Sequence, residues 1–278
     1  MIGASLSDAQ MQSAPLTDPT GATAPSLIEA HGLVKVFGGL RAVDNMSIAV
    51  RKGEMVGLIG PNGAGKTTLF NLLAGSLAPT HGTITLGGTD VTRHGPDRRI
   101  RHGVGRTFQI PRPFAQMTVL ENVLAGGQNQ TGERMWANLL RPARVAREER
   151  ALVAKARALL DFVTLSALEN QPARTLSGGQ RKLLELARIL MADPQAILLD
   201  EPAAGVNPSL LELIIGRILD LNRAGTSILL IEHNMDAVAR LCSRVVVMAA
   251  GRHLAAGSPA EITRDPAVVD AYLGGAPA

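Results

Sequence analysis

Lys66 and Thr67 close the run Gly60-Pro61-Asn62-Gly63-Ala64-Gly65-Lys66-Thr67-Thr68, a GxxxxGK[ST] pattern. Its glycines let successive backbone N–H groups turn inward around phosphate oxygens, and the helix that follows adds its positive N-terminal end. Lys66 then reaches the β- and γ-phosphates, and the Thr67 hydroxyl suits Mg²⁺, a cation that prefers hard oxygen ligands. The run follows the apolar stretch MVGLI and precedes LFNLLAG, the strand-then-helix setting in which such a loop works. These residues point to binding of a nucleoside triphosphate.

A second string, LSGGQRKLLELARIL from Leu176 to Leu190, opens with Ser177 and Gln180 at capping-box spacing ahead of an amphipathic helix. Gly178 and Gly179 fall in its first turn, where each costs roughly 1 kcal/mol against alanine. A helix accepts that cost if its N-terminus must approach a ligand closely. Bare N–H groups at a helix start form an anion site, so a second phosphate contact is expected here.

The elements that must position these residues read as two kinds of strand. LIEAHGLVKVF, NMSIAV and GTITLGGTDVT carry short alternating patterns with turns between them, which predicts an antiparallel sheet near the phosphate loop. MVGLIG, AILLD, SILLIEH and RVVVMA are continuous apolar runs separated by helix-length segments, as expected of strands buried on both faces of a parallel sheet. The core is therefore α/β. About 111–174 lacks comparable strand signals and carries helical periodicity, which predicts a helical insert. Ser258 with Pro259 and Glu261, then Asp265 with Pro266, predict two short capped helices before Gly274.

Residues 1–26 are rich in Ser, Thr, Ala and Pro, without a basic region leading into an apolar one, and are expected to form a disordered tail rather than a secretory signal. No apolar run approaches the ~18 residues that span a bilayer, so any membrane role is borrowed from a partner. With 28 basic against 24 acidic residues, one Trp, one Tyr and five Phe, a nucleic-acid role is disfavoured. A single cysteine, Cys242, and six scattered histidines suggest neither an internal disulfide nor a zinc site, and the chain reads as cytosolic. The arginine-rich stretches HGPDRRIRHGVGR and RPARVAREERALVAKAR invite a lipid or nucleic-acid reading, but Glu148 and Glu149 at helical spacing make the second a solvated helix face.

LSGGQ together with GPNGAGKTT resembles the ATP-binding cassette (ABC) ATPases, over nearly the whole chain from Leu27 onward. The resemblance implies a P-loop ATPase core of mixed sheet and helices, an antiparallel β subdomain and a helical subdomain at about 111–174, with ATP and Mg²⁺ as ligands. It also implies a head-to-tail dimer in which Leu176, Ser177, Gly178, Gly179 and Gln180 of one subunit face ATP held by the P-loop of the other. AILLDE ends in two carboxylates at the edge of the sheet where open α/β folds bind ligands. By resemblance Asp200 holds Mg²⁺ and Glu201 is the general base for the attacking water. Gln109, in RTFQIPRPF, matches the glutamine that touches Mg²⁺ or water, and His233 matches the histidine that contacts the γ-phosphate. Phe37 stands where the family often has an adenine-stacking tyrosine and keeps the π-face. Asn207 stands where many members have aspartate at the dimer seam, which weakens any charge-based account of cross-talk between the two sites.

Finer strings, FGGLRAVDNMS, RTFQIPRPFAQMTVLENVLAG, DEPAAGVNP, LLIEHNMDAV and GSPAEITRDPAVVDAYLG, resemble the import ATPases of branched-chain amino acid transporters. That subfamily also serves urea, amides and other small solutes. The implied partners are two membrane permease subunits, a related second ATPase or a second copy, and an extracytoplasmic solute-binding protein, at the cytoplasmic face of the inner membrane. The permease would dock on the insert close to Gln109. A lipopolysaccharide-export ATPase shares the P-loop and a similar tail and remains the alternative.

Overall fold

The computed structural model describes residues 25–107, 113–128 and 142–273. Most of the expected N-terminal tail, Gln109 and Gly274 lie outside the described residues. In chain order the strands are β1 (Ser26–Phe37), β2 (Leu40–Arg51), β3 (Met55–Ile59), β4 (His81–Leu86), β5 (Thr89–Asp90), β6 (Val104–Arg106), β7 (Ala196–Asp200), β8 (Ser227–Ile231), β9 (Arg244–Ala249) and β10 (Arg252–Gly257). They form an antiparallel sheet of order β2-β1-β4-β5 and a second sheet of order β10-β9-β3-β8-β7-β6. In the second sheet β6, β7, β8, β3 and β9 run parallel, and β10 returns antiparallel to β9.

The continuous apolar runs sit at the centre of the parallel sheet because each strand feeds two cores. Successive side chains on a strand point to opposite faces. Ile197, Leu199, Ile228, Leu230, Val245 and Val247 enter one apolar cluster, while Leu198, Leu229, Ile231, Val246 and Met248 enter the other. The second cluster also takes Ile28, Val43, Ile48 and Ile84 from the antiparallel sheet, and Leu69, Phe70 and Leu72 from α1 (Lys66–Leu73). The sheet is thus held between α1 with the β-rich layer on one side and helices on the other.

Helix α2 (Pro96–Arg101) follows β5. The helical side is built from α3 (Val119–Leu124), α4 (Pro142–Phe162), α5 (Gly178–Leu190), α6 (Pro208–Arg223) and α7 (Met235–Leu241). Val123, Ala156, Leu160 and Val163 pack with Leu183 and Ala187 in its core. Among the described residues of 111–174, strand pairing is limited to a single bridge between Thr118 and Pro172. The chain ends in α8 (Pro259–Ile262), with the Ser258/Glu261 capping box formed, and α9 (Pro266–Leu273), where Asp265 Oδ1 accepts from the Ala267 and Val268 amides at 2.9 and 3.4 Å.

The first arginine-rich stretch has an internal use that its sequence did not disclose. Arg99 is 1% exposed, and its guanidinium donates to the carbonyls of Leu72 and Leu73 at 2.6 and 2.5 Å and to Val91 at 2.9 Å. It caps the C-terminal carbonyls of α1, the negative end of that helix. Burial pulls its pKa down to about 10, so it stays charged at neutral pH.

Cys242 is buried against Gly57, where an added Cβ would come within 3.0 Å of its sulfur. Burial, reinforced by the charge of Glu232, pushes its thiol up to about 12. Thiolate is the reactive form, so the native chain is expected to resist an aromatic disulfide reagent at pH 8 and to react fully once denatured. Rapid release of chromophore from native protein would contradict this burial.

Candidate functional site

The phosphate loop is fixed by close backbone packing at its two ends. Gly60 leaves β3 at φ 147°, and a Cβ there would fall 2.0 Å from the Met248 carbonyl oxygen. Gly65 has φ 94°, and a Cβ there would fall 2.2 Å from the Ala42 carbonyl oxygen. No other residue fits either position without moving backbone. Between them Asn62 and Gly63 are exposed, Pro61 is half-buried and Ala64 is buried.

Helix α1 starts immediately after Gly65 with no side-chain cap and no acidic residue in its first turn. Its positive end is therefore left for an external anion. Lys66 is 6% exposed, and its Nζ donates to the carbonyls of Gly60 and Pro61 at 2.7 and 2.9 Å. Burial lowers its pKa, while the Glu201 carboxylate acts to raise it. A buried ammonium held by neutral carbonyls beside an uncapped helix start fits a polyphosphate. Thr67 is exposed and Thr68 half-buried on the first turn.

The parallel strands deliver the carboxylates to the same edge. Asp200 ends β7, 4% exposed, and its Oδ2 lies 3.2 Å from Arg106 Nη2. Arg106 ends β6; its Nη1 donates to Asn71 Oδ1 on α1 at 2.5 Å, tying three elements together. The Asp200 amide donates to Thr107 Oγ1 at 3.1 Å. Burial pushes the Asp200 carboxyl upward, and the Arg106 guanidinium pulls it back. An acidic oxygen donor here, with the Thr67 hydroxyl on α1, fits a hard divalent cation such as Mg²⁺.

Glu201 has φ 49°, a left-handed conformation that costs about 1–2 kcal/mol for a non-glycine residue. Its amide donates to the Ile231 carbonyl at 3.0 Å, and its Oε1 lies 3.1 Å from His233 Nε2. Glu201 and His233 thus form a pair, arriving from the ends of adjacent strands β7 and β8. Sequence reading placed both at this edge but did not foresee the contact, since it depends on register between strands.

The LSGGQ segment is built as its spacing predicts. Ser177 Oγ accepts from the Gln180 amide at 3.3 Å, and Gln180 Oε1 accepts from the Ser177 amide at 2.9 Å. The two glycines have different reasons. A Cβ on Gly179 would come 2.1 Å from Leu210 Cδ2, so that glycine makes room for α6; a Cβ on Gly178 would meet nothing within 4 Å. Packing against α6 therefore accounts for Gly179 and not for Gly178. Leu176 is buried, and its carbonyl accepts from Arg181 Nε at 3.0 Å.

Phe37 ends β1 and is 45% exposed, with Lys35 Nζ 5.2 Å from its ring centroid. Asn207 is the N-cap of α6, its Oδ1 accepting from the Leu210 amide at 2.9 Å. Aspartate or asparagine caps a helix equally well, so the local fold does not depend on which is present.

Comparison with known proteins identifies the family. The family described as ABC transporter matches residues 43–204, and the one described as branched-chain amino acid ATP-binding cassette transporter matches 252–278. The high-affinity branched-chain amino acid transport ATP-binding protein LivG of Salmonella typhimurium is 41% identical over 249 residues, covering 89% of this chain and 98% of the relative. BraF of Pseudomonas aeruginosa, described in the same words, is 39% identical with the same coverage. A crystal structure of a nucleotide-free ATP-binding cassette from an ABC transporter superposes with TM-score 0.78 at 38% identity, covering 89% of this chain and 98% of that one. Another cassette, in an ADP conformation, gives 0.76 at 36% identity, with 90% and 100% covered. With its P-loop, paired carboxylates and LSGGQ helix on a cassette fold, the chain belongs to the ATP-hydrolysing ATP-binding proteins of the ABC transporter family.

Proposed function

We infer that this chain is the ATPase subunit of an importer for branched-chain or other hydrophobic amino acids, working on two membrane permease subunits with an extracytoplasmic solute-binding protein. The second ATPase is a related chain or another copy of this one. Among the described residues no helix is long and apolar enough to cross a membrane; in this reading the chain acts through those permeases, from the cytoplasmic face. The helical stretch at about 111–174 carries the docking surface, with Gln109 at its root.

The observation that carries the ATPase reading is the Glu201–His233 contact at 3.1 Å, on the sheet edge that also bears Lys66 and Asp200. Lys66 and the start of α1 hold the triphosphate, and Phe37 stacks on adenine. Glu201 orients the attacking water and takes its proton as the new P–O bond forms and the bond to ADP breaks. His233 bridges the base and the γ-phosphate. Thr67 and Asp200, and by family resemblance Gln109, would hold Mg²⁺, which would supply charge neutralisation on the phosphate oxygens. Leu176 to Gln180 complete the site from the other subunit.

The two glycines give a separable test. Gly179→Ala is expected to lower the melting temperature, because Leu210 must move. Gly178→Ala is expected to leave the isolated chain as stable or stabler, by up to ~1 kcal/mol, while weakening ATP-driven association. Equal effects of both on melting would contradict the distinction.

The experiment for the physiological reading is gentle purification of the tagged chain from its native membranes, with its partners identified by mass spectrometry. Permeases with a sister ATPase and an amino-acid-binding protein are the expected result. Recovery of lipopolysaccharide-export components, or of a urea or amide transporter, would keep the ATPase chemistry and overturn the solute.

A further inference from the structure

Glu201 needs help to stay where it is. Its left-handed backbone at φ 49° is disfavoured for a side-chain-bearing residue, and such strain persists only where the surroundings hold it. Two side chains from other elements do so. Lys182, on the second turn of α5, donates from Nζ to the Glu201 carbonyl at 2.6 Å and to the Pro202 carbonyl at 3.3 Å. Glu232, 3% exposed just past β8, accepts the Ala203 amide at Oε1 at 2.6 Å. Its other oxygen, Oε2, accepts the amides of His233 and Asn234 at 3.1 and 3.3 Å. Three consecutive residues, 201–203, are therefore held from two directions by one ammonium and one carboxylate.

The positions of the two anchors matter as much as their bonds. Lys182 belongs to the helix that begins at Ser177, so the loop bearing the base is fastened to the helix that faces the other subunit's nucleotide. Glu232 divides its two oxygens between that loop and the residues around His233. Each anchor thus connects the base's backbone to a different phosphate-contacting group. Burial lowers the Lys182 pKa, and the carboxylates of Glu232, Glu201, Glu185 and Asp200 oppose that shift without reversing it.

We propose that Lys182 and Glu232 are positioning residues for the base, clamping the strained backbone of Glu201 to Ala203 and coupling it to the LSGGQ helix and to the His233 loop. This rests on the reading of Glu201 as the base. Each acts through the backbone it holds. A stabilising role alone would alter melting and leave the chemical step untouched, whereas a clamp sets the rate, because misplacing a catalytic group by about 1 Å costs on the order of 100-fold.

The test uses the full chain in its purified transporter complex, with Lys182→Met, Lys182→Arg and Glu232→Gln compared for ATP affinity, single-turnover hydrolysis and melting temperature. Lys182→Met and Glu232→Gln are expected to slow the chemical step on the order of 10–100-fold with ATP affinity within about threefold (under ~0.7 kcal/mol). Lys182→Arg should recover most of the rate, since guanidinium can also donate to both carbonyls. In a Glu201→Gln background Lys182→Met should add no further loss. If Lys182→Met does not fold, Glu232→Gln, which removes the charge and keeps the volume, carries the test. Hydrolysis at the parent rate in the folded variants, or a loss matched by weakened ATP binding, would overturn the clamp. Wild-type turnover in Glu201→Gln alone would instead overturn the base reading beneath it.

Discussion

Glu201→Gln is expected to keep ATP affinity, cut turnover by about 10²–10⁴-fold and accumulate an ATP-bound dimer. The substitution removes one capacity and little else. An amide has the carboxylate's shape and can still accept from His233, whose Nε2 lies 3.1 Å from Glu201 Oε1, but it cannot take a proton from water. The left-handed backbone at φ 49° strains glutamine no more than glutamate. Binding, which depends on Lys66 and the start of α1, is left whole. Phosphate release measured beside nucleotide titration separates the two steps, and sedimentation with and without MgATP reports the dimer. Turnover at the parent rate would remove Glu201 from the role of base.

Lys66→Ala is expected to fail earlier, at binding. Its Nζ now donates to the Gly60 and Pro61 carbonyls at 2.7 and 2.9 Å, bonds to neutral acceptors that a triphosphate would replace with bonds to anionic oxygens. Hydrogen bonds to a charged group contribute about 1.5–3 kcal/mol, and each 1.4 kcal/mol is about tenfold in affinity. The loss should therefore be on the order of 10–100-fold in the dissociation constant. It should appear in an equilibrium titration, without a comparable fall in melting temperature, because the ammonium forms no hydrogen bond to a carboxylate among the described residues. Unchanged affinity would contradict the assignment.

How much of this was legible in the sequence varies by element. The phosphate loop, the LSGGQ capping box and the four apolar strands could be read because each depends on neighbours in the chain: turn glycines, a cap three residues from its partner, an unbroken apolar run. β6 and β10 went unread. β6 spans only Val104–Arg106, and its Gly105 is there because a Cβ would come 2.3 Å from Ile189 Cγ2. β10 pairs through the two-residue turn Ala250-Gly251, at φ 47° and 79°. That turn did leave a signal, the Ala-Gly pair directly after RVVVMA, which a hairpin search would have used.

The site was legible as a roster and not as a geometry. Lys66, Asp200, Glu201 and His233 could each be singled out as candidates from their motifs. The Arg106 contact to Asp200 and Asn71, the left-handed Glu201 and the Glu201–His233 pair depend on residues far apart in the chain meeting across strand register. Gly179 shows the limit most plainly. The two adjacent glycines look alike in the sequence, but the constraint the structure shows on Gly179 comes from Leu210 across the helix interface. Lys182 and Glu232 carried no motif signal, because their partners are backbone atoms, which look alike in every sequence.

The most direct test of the central claim is ATP turnover by the chain assembled in proteoliposomes with its permeases and solute-binding protein, with leucine, isoleucine or valine added. The predicted result is hydrolysis that rises when the loaded binding protein is present and vanishes in Glu201→Gln. Turnover indifferent to every apolar amino acid, or stimulated only by a polar solute such as urea, would contradict the amino-acid importer.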